Sequence, residues 1–159
     1  MNEKQKKGSL KGFLGGILFS LIAIFIWLLF SSFGMVGYWS APAFGVLIPL
    51  GYKLLLKKKP DNLMISASTV IIIIAVLIAA YLGYVLNTYI LLIYEGSALS
   101  EITFSEVNDF IKSCWLYNAN GFRKDCLREV GIGLLASLIF EAIYISILKR
   151  TKKSEVKNG

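Results

Sequence analysis

Four long apolar segments limit the folds open to this chain more than any other feature of its 159 residues. A helix needs roughly 20 mostly apolar residues to cross the hydrocarbon core of a bilayer, which is about 30 Å thick. The segments that meet or approach this length are about 13–30, 36–56, 65–94 and 130–148. With 56% hydrophobic and 17% charged residues, the composition lies outside the range of ordinary water-soluble domains. The sequence therefore predicts an all-α polytopic membrane protein, in which residues 1–159 form one domain with four transmembrane helices.

Positive charge is concentrated on one side of these four predicted spans. Thirteen of the seventeen Lys and Arg residues lie in the N-terminal tail, in the loop after the second span and in the C-terminal tail. The other four, in the loop between the third and fourth spans, are Lys112, Arg123, Lys124 and Arg128. Because cytoplasmic loops retain positive charge, this asymmetry predicts both termini in the cytoplasm. It also accounts for the net charge of +7 without a nucleic acid partner.

A cleaved secretory signal is the alternative for the N-terminal 43 residues. The chain has a basic start, an apolar stretch and a small-residue run, Ser40-Ala41-Pro42-Ala43. The apolar stretch is longer than a signal requires, and the small residues lie far downstream of it. We expect the first span to be retained; cleavage would leave three spans and the same external loop.

The only sizeable polar segment is the predicted external loop, about 95–129. Thr103 and Glu106 have the spacing of a capping box, and apolar residues then recur at helical intervals. This pattern predicts a short external amphipathic helix that lies on the membrane surface or caps the bundle, ended by a turn at 118–121. Its Phe110, Ile111 and Trp115 are the candidate residues for binding a partner.

Glu141 is the one acidic residue inside a predicted span. A carboxylate near the middle of a spanning helix costs about 2.5 to 3.5 kcal/mol unless it is partnered or protonated. Gly133, Ser137 and Glu141 recur at intervals of four and so share one face of the fourth span. Counted from the cytoplasmic ends, Glu141 lies at about the depth of Ser20 and Thr69, whose hydroxyls we expect as partners.

Three interpretations of Glu141 follow. It could be a neutral, hydrogen-bonded residue that joins packed helices, or an intramembrane site for a proton or cation. It could also lie at an interface, if the fourth span is displaced from its predicted position. Stripes of small residues in the first and third spans indicate close helix packing rather than a substrate path; they are Gly8, Gly12, Gly16, Ser20, Ala75, Ala79, Gly83 and Asn87.

The two cysteines, Cys114 and Cys126, both fall in the predicted external loop. An exported location permits a disulfide between them. The chain has no histidine, which excludes imidazole catalysis and any His-based metal site. We find no motif for a cofactor and no set of residues that would make a catalytic centre.

Glycines and aromatic residues carry a resemblance that covers most of the chain. They are Gly12-Phe13-Leu14-Gly15-Gly16, Trp27, Gly45, Gly51-Tyr52-Lys53, Ala80-Tyr81-Leu82-Gly83-Tyr84, Arg123-Lys124-Asp125, Gly131 and Gly133. This pattern resembles four-helix integral membrane proteins of unknown function from low-GC Gram-positive bacteria. The resemblance implies a four-span topology and a bacterial plasma membrane, and it implies no activity.

Two functional hypotheses remain. The first is a non-enzymatic accessory protein, which binds another membrane protein through its external loop or its packed faces. The second is a small homo-oligomeric transporter or channel that couples transport to protons through Glu141. Besides the lipid bilayer, the expected partner is another membrane protein or a second copy of this chain.

Overall fold

Helices make up nearly all of the structure. The computed structural model describes residues 3–33, 35, 37–56, 62–98, 101–118 and 121–155. These residues form five α-helices and one 3₁₀ turn, Gly37–Ser40, and no strand is found among them. The helices are α1 (Glu3–Ser32), α2 (Pro42–Leu56), α3 (Asn62–Tyr94), α4 (Phe104–Tyr117) and α5 (Phe122–Glu155).

Four helical segments are long and apolar enough to cross a membrane. They are Leu10–Ser32, Gly37–Leu56, Asn62–Tyr94 and Phe122–Arg150. The predicted all-α fold with four spans and one extra amphipathic helix is confirmed. Helices α1 and α3 begin, and helices α2 and α5 end, at the same end of the bundle, which we call the basic end. The opposite end carries α4, and we call it the α4 end.

The fourth span is longer than the hydropathy pattern predicts. Helix α5 begins at Phe122 rather than near Val130, so its first turns occupy part of the predicted external loop. These turns hold charged residues, and Arg128 pairs with Asp125 at 3.0 Å, three residues earlier on the same helix. Hydropathy marks where apolar residues begin, whereas a helix continues through charged residues until a cap or a breaker ends it.

A single apolar core joins the four spans. Helices α2 and α3 each pack against both α1 and α5. Trp27 of α1 is fully buried at the centre, where its ring meets that of Phe44 edge-on at a centroid separation of 5.8 Å. Ile72 and Val76 of α3 are also fully buried beside them.

The second apolar segment, Gly37–Leu56, has the lowest mean hydropathy of the four, 1.3, yet its helix α2 makes direct backbone contacts with its neighbours. Pro42 occupies its first turn, where a missing N–H is harmless. A Cβ on Gly15 would overlap the carbonyl oxygen of Gly51, so the backbones of α1 and α2 touch there. The glycines that weaken α2 as a hydrophobic segment are therefore the residues that let it pack.

Helix α4 has defined ends. Thr103 accepts a hydrogen bond from the Glu106 N–H, and the Glu106 side chain accepts one from the Thr103 N–H, which is the predicted capping box. Asn118 ends the helix in the left-handed region at φ 50°, and Gly121 follows at φ 79°. Residues 119–120 of the predicted turn lie outside the described residues.

Candidate functional site

Glu141 lies inside the bundle, between α5 and α3. The residue is 4% exposed. Ser68 Oγ donates a hydrogen bond to its Oε1, and Thr69 Oγ1 lies 3.0 Å from its Oε2. The two ion pairs within the described residues are on the exposed surface of the α4 end, so they do not involve this carboxyl group. Two hydroxyl groups from α3 therefore hold both oxygens of the acid.

Each of these two hydroxyl groups has two acceptors within hydrogen-bonding distance but only one hydrogen to donate. Ser68 Oγ lies 3.0 Å from the Ile65 carbonyl oxygen, and Thr69 Oγ1 lies 2.9 Å from the same atom. Because a hydroxyl group has one hydrogen, each of them donates either to Ile65 or to Glu141 at any moment. A protonated Glu141 could donate to Ser68, and Ser68 would then donate to Ile65. The arrangement thus accepts the acid with or without its proton.

Close approach of α2 holds this part of α5 in place. A Cβ on Gly45 would overlap the carbonyl oxygen of Ser137 and would lie 2.7 Å from the Glu141 nitrogen. Ser137 is fully buried, and its Oγ lies 2.9 Å from the Ala41 carbonyl oxygen. The stripe of Gly133, Ser137 and Glu141 therefore faces the bundle, where it contacts α2 as well as α3.

The structure brings together some of the residues proposed from sequence and separates others. Thr69 contacts Glu141, but Ser20 donates to the Ile17 carbonyl oxygen of its own helix at 2.7 Å. Ser137 bonds the backbone rather than the acid. Ser68 was not predicted as a partner, although it directly precedes Thr69 in the sequence.

A second carboxyl group, Glu129, performs a similar joining role at the α4 end. Its Oε1 accepts a hydrogen bond of 2.9 Å from the Gly37 N–H, and its Oε2 accepts one of 2.8 Å from the Tyr84 hydroxyl. Glu129 thus links α5 to the 3₁₀ turn and to α3. Glu129 was not singled out from sequence because it falls at the end of the predicted external loop, about 95–129, although it precedes Gly133 by four residues and extends the same stripe by one helical turn.

Trp27 is enclosed by glycines of the neighbouring elements. A Cβ on Gly133 would lie 2.9 Å from its ring, and a Cβ on Gly37 would overlap the ring. Its Nε1 is buried and has no hydrogen-bond partner within the described part of the chain. A Cβ on Gly83 would lie 3.4 Å from this nitrogen, so α3 also approaches the indole closely.

Two cavities flank the pair of Tyr84 and Phe122, whose rings meet edge-on with their centroids 5.1 Å apart. The first, about 520 Å³, lies between α3, α4 and α5 and includes Ile111 and Trp115; we call it the Trp115 groove. The second, about 560 Å³, includes Phe110; we call it the Phe110 cavity. The three candidate partner-binding residues therefore do not form one surface.

Few contacts attach α4 to the bundle. Val107 is its one buried side chain. The Tyr81 hydroxyl of α3 lies 3.1 Å from Asn108 Oδ1, and the Arg123 guanidinium of α5 donates to the carbonyl oxygens of Trp115 and Leu116. Helix α4 is thus attached by one buried side chain and by polar contacts at its edge and at its C-terminal end.

Both cysteines are free thiols in this structure, so the disulfide considered from sequence is not formed. Cys114 lines the Phe110 cavity, whereas Cys126 lines the Trp115 groove. Their side chains thus face different cavities. No group of three or more His, Cys, Asp or Glu side chains arranged to hold a metal ion is found among the described residues.

Comparison with known proteins returns no family model, no curated protein and no solved structure that matches this chain.

Proposed function

We propose that this protein is a non-enzymatic accessory protein of a bacterial plasma membrane, which binds another membrane protein through α4. The observation that carries the proposal is the placement of α4. This helix stands outside the four spans, has capped ends and contacts the bundle with little of its own surface. Most of its side chains are exposed, so its outer faces are accessible to a partner.

The Phe110 cavity is the face that suits a protein partner. Phe110 is 43% exposed, Tyr117 is 83% exposed, and Ser113 and Asp125 add polar groups beside them. Exposed aromatic residues surrounded by polar ones are typical of the central residues of protein interfaces. Ile111 and Trp115 are directed to the other cavity, so we assign them a smaller part in binding the protein partner.

The orientation proposed from sequence would place α4 where a partner on the external side of the membrane can reach it. The basic end would lie in the cytoplasm and α4 on the external side of the membrane. The lysine and arginine asymmetry supports this orientation, as do described residues at the basic end such as Lys53, Lys149 and Arg150.

Gentle detergent extraction from the native membrane, followed by mass spectrometry, tests the proposal. We expect a second protein in fixed stoichiometry, and we expect Phe110→Ala with Tyr117→Ala to reduce its recovery at least tenfold, as is typical when central aromatic residues are truncated. Phe25→Ala is the matched control, because Phe25 is an aromatic residue of α1 that is 61% exposed. Recovery of the partner unchanged by the double substitution would refute this role of α4.

A second candidate function, proton-coupled transport or conduction by a homo-oligomer, is favoured by one observation. Glu141 is buried in a spanning helix, and its hydroxyl partners can serve it in either protonation state. Buried intramembrane carboxyl groups of this kind are frequent in proton pathways.

Proton entry into proteoliposomes under a membrane potential, followed with a trapped pH-sensitive dye, tests this candidate. A proton pathway predicts flux above protein-free liposomes that Glu141→Gln abolishes without lowering thermal stability. Glu129→Gln is the control, since Glu129 lies at the α4 end and should leave the flux intact. Flux that survives Glu141→Gln would exclude Glu141 as the proton site.

A further inference from the structure

The Trp115 groove is lined mostly by apolar side chains. Helices α3 and α5 contribute Leu77, Ala80 and Val130 to its walls. Helix α4 contributes Asn108 and Lys112 among others. The groove therefore combines apolar walls with one cation on α4.

The groove is open at the side of the bundle. Leu77 is 49% exposed, Trp115 is 41% exposed and Leu116 is 66% exposed, although all three line it. The segments of α3 and α5 that form its walls belong to the helices that are apolar enough to span a membrane. With these helices in a bilayer, a lipid beside the bundle would reach the groove from the side.

The size of the groove suits a narrow ligand, such as an acyl chain, better than a helix of a protein partner. A helix with its side chains is about 10–12 Å across and rises about 5.4 Å per turn, so a single turn occupies roughly 400–600 Å³. The groove, at about 520 Å³, would hold scarcely one turn. It does lie within the range of roughly 300–1,000 Å³ that is usual for small-molecule sites.

The charge at the α4 edge is available to a ligand. Lys112 is the cation that lines the groove, and its Nζ lies 3.4 Å from Asp109 with both side chains more than half exposed. An exposed pair of this kind is weak, so the ammonium group can turn toward an anion with little loss. The stem of the lysine can remain on the apolar wall while its head moves.

We propose that the Trp115 groove binds one anionic bilayer lipid, with an acyl chain against Leu77, Ala80 and Val130 and its phosphate at Lys112. The apolar walls suit an acyl chain, and Lys112 suits the phosphate. The lateral opening would let the lipid enter. This site lies on the opposite side of the Tyr84–Phe122 pair from the surface assigned to a protein partner. It goes beyond the proposed function and does not depend on it.

Quenching of Trp115 fluorescence by brominated lipids tests the proposal. The full chain with Trp39→Phe is reconstituted into vesicles, which leaves Trp115 in the groove and Trp27 fully buried. Vesicles contain increasing fractions of brominated phosphatidylglycerol or brominated phosphatidylcholine. We expect brominated phosphatidylglycerol to reach half-maximal quenching at a fraction about fivefold lower than brominated phosphatidylcholine does. This is the preference that one lysine near a membrane surface gives.

Two substitutions with matched controls locate the effect. Lys112→Gln should abolish the preference for the anionic lipid, whereas Lys124→Gln, on the exposed start of α5, should not. Ala80→Leu should fill the groove and reduce quenching by both lipids, whereas Ala142→Leu, exposed near the basic end, should not.

If Ala80→Leu does not fold, native mass spectrometry of the parent and of Lys112→Gln decides instead. One retained phosphatidylglycerol per chain in the parent, lost in Lys112→Gln, supports the site. Equal quenching by the two lipids, a preference that survives Lys112→Gln, or no retained lipid would each overturn it.

Discussion

The interior of the bundle and its α4 end follow opposite packing principles. Inside, glycines of α2 bring backbones into direct contact, at Gly51 with α1 and at Gly45 with α5. At the α4 end, a well-capped helix lies across α3 and α5 with one buried side chain and leaves two cavities of more than 500 Å³. The first arrangement tolerates almost no added atom, whereas the second has room for ligands.

The difference shows how stability and binding are divided in a small membrane bundle. Within a bilayer, apolar side chains gain little by leaving lipid for protein, so close backbone contact and buried hydrogen bonds hold the spans together. Helix α4 is capped at both ends and buries only Val107, and open space remains between it and the spans. Three predictions test this division.

The largest effect is expected from Gly45→Ala. The added methyl group would overlap the Ser137 carbonyl oxygen and crowd the Glu141 nitrogen, and backbone atoms cannot move aside as a side chain can. We expect a loss of about 3 kcal/mol in the free energy of unfolding, at the upper end of overpacking effects. Reversible unfolding in mixed detergent measures it.

Gly131→Ala is the matched control, because a Cβ at Gly131 meets nothing within 4 Å. The same change should there be neutral or stabilising by about 0.5–1 kcal/mol, since alanine is the better helix former. Equal effects of the two substitutions would contradict the assignment of Gly45 to a close contact.

A smaller loss is expected from Glu129→Ala, which leaves the Gly37 N–H and the Tyr84 hydroxyl without their acceptor. Each group left unpaired costs about 1–3 kcal/mol when it is buried, so we expect about 2 kcal/mol in total because both hydrogen bonds are only partly buried. The same unfolding assay applies. Asp125→Ala should cost much less, because its pair with Arg128 is exposed.

The smallest effect concerns the start of α4 and its dependence on pH. The hydrogen bond from the Thr103 N–H, followed by that from the Thr103 hydroxyl, holds the pKa of the Glu106 carboxyl below its ordinary value. Because the pKa is lowered in the folded helix, the capping box stabilises α4 above the ordinary pKa of a glutamate. That contribution is lost as the pH falls through the lowered value.

Amide chemical shifts of Thr103 and Glu106, followed by NMR as the pH is lowered, measure this change. Fraying should begin at the first turn of α4, and Glu106→Gln should remove the pH dependence. Fraying that starts at the Asn118 end would show that the capping box is not the acid-sensitive element.

Local patterns were sufficient to predict part of this architecture. The capping box depends on residues three positions apart, and Thr103 and Glu106 form it as expected. The depth of Glu141 was also useful, since counting along the helices identified Thr69 as a neighbour. Counting gives the level of a residue in the membrane but not the rotation of its helix, which is why Ser20 faces elsewhere and Ser68 was missed.

The sequence by itself determined the number of apolar helices, the amphipathic helix between the last two and the placement of one acid within a span. These features depend on hydrophobicity and on neighbours within a helical turn. The tertiary structure alone decided which hydroxyls meet Glu141, that Glu129 joins three elements and that α4 leaves two cavities beneath it. Those outcomes depend on helix rotation and on the backbone contacts at Gly45 and Gly51, which bring together residues far apart in the chain.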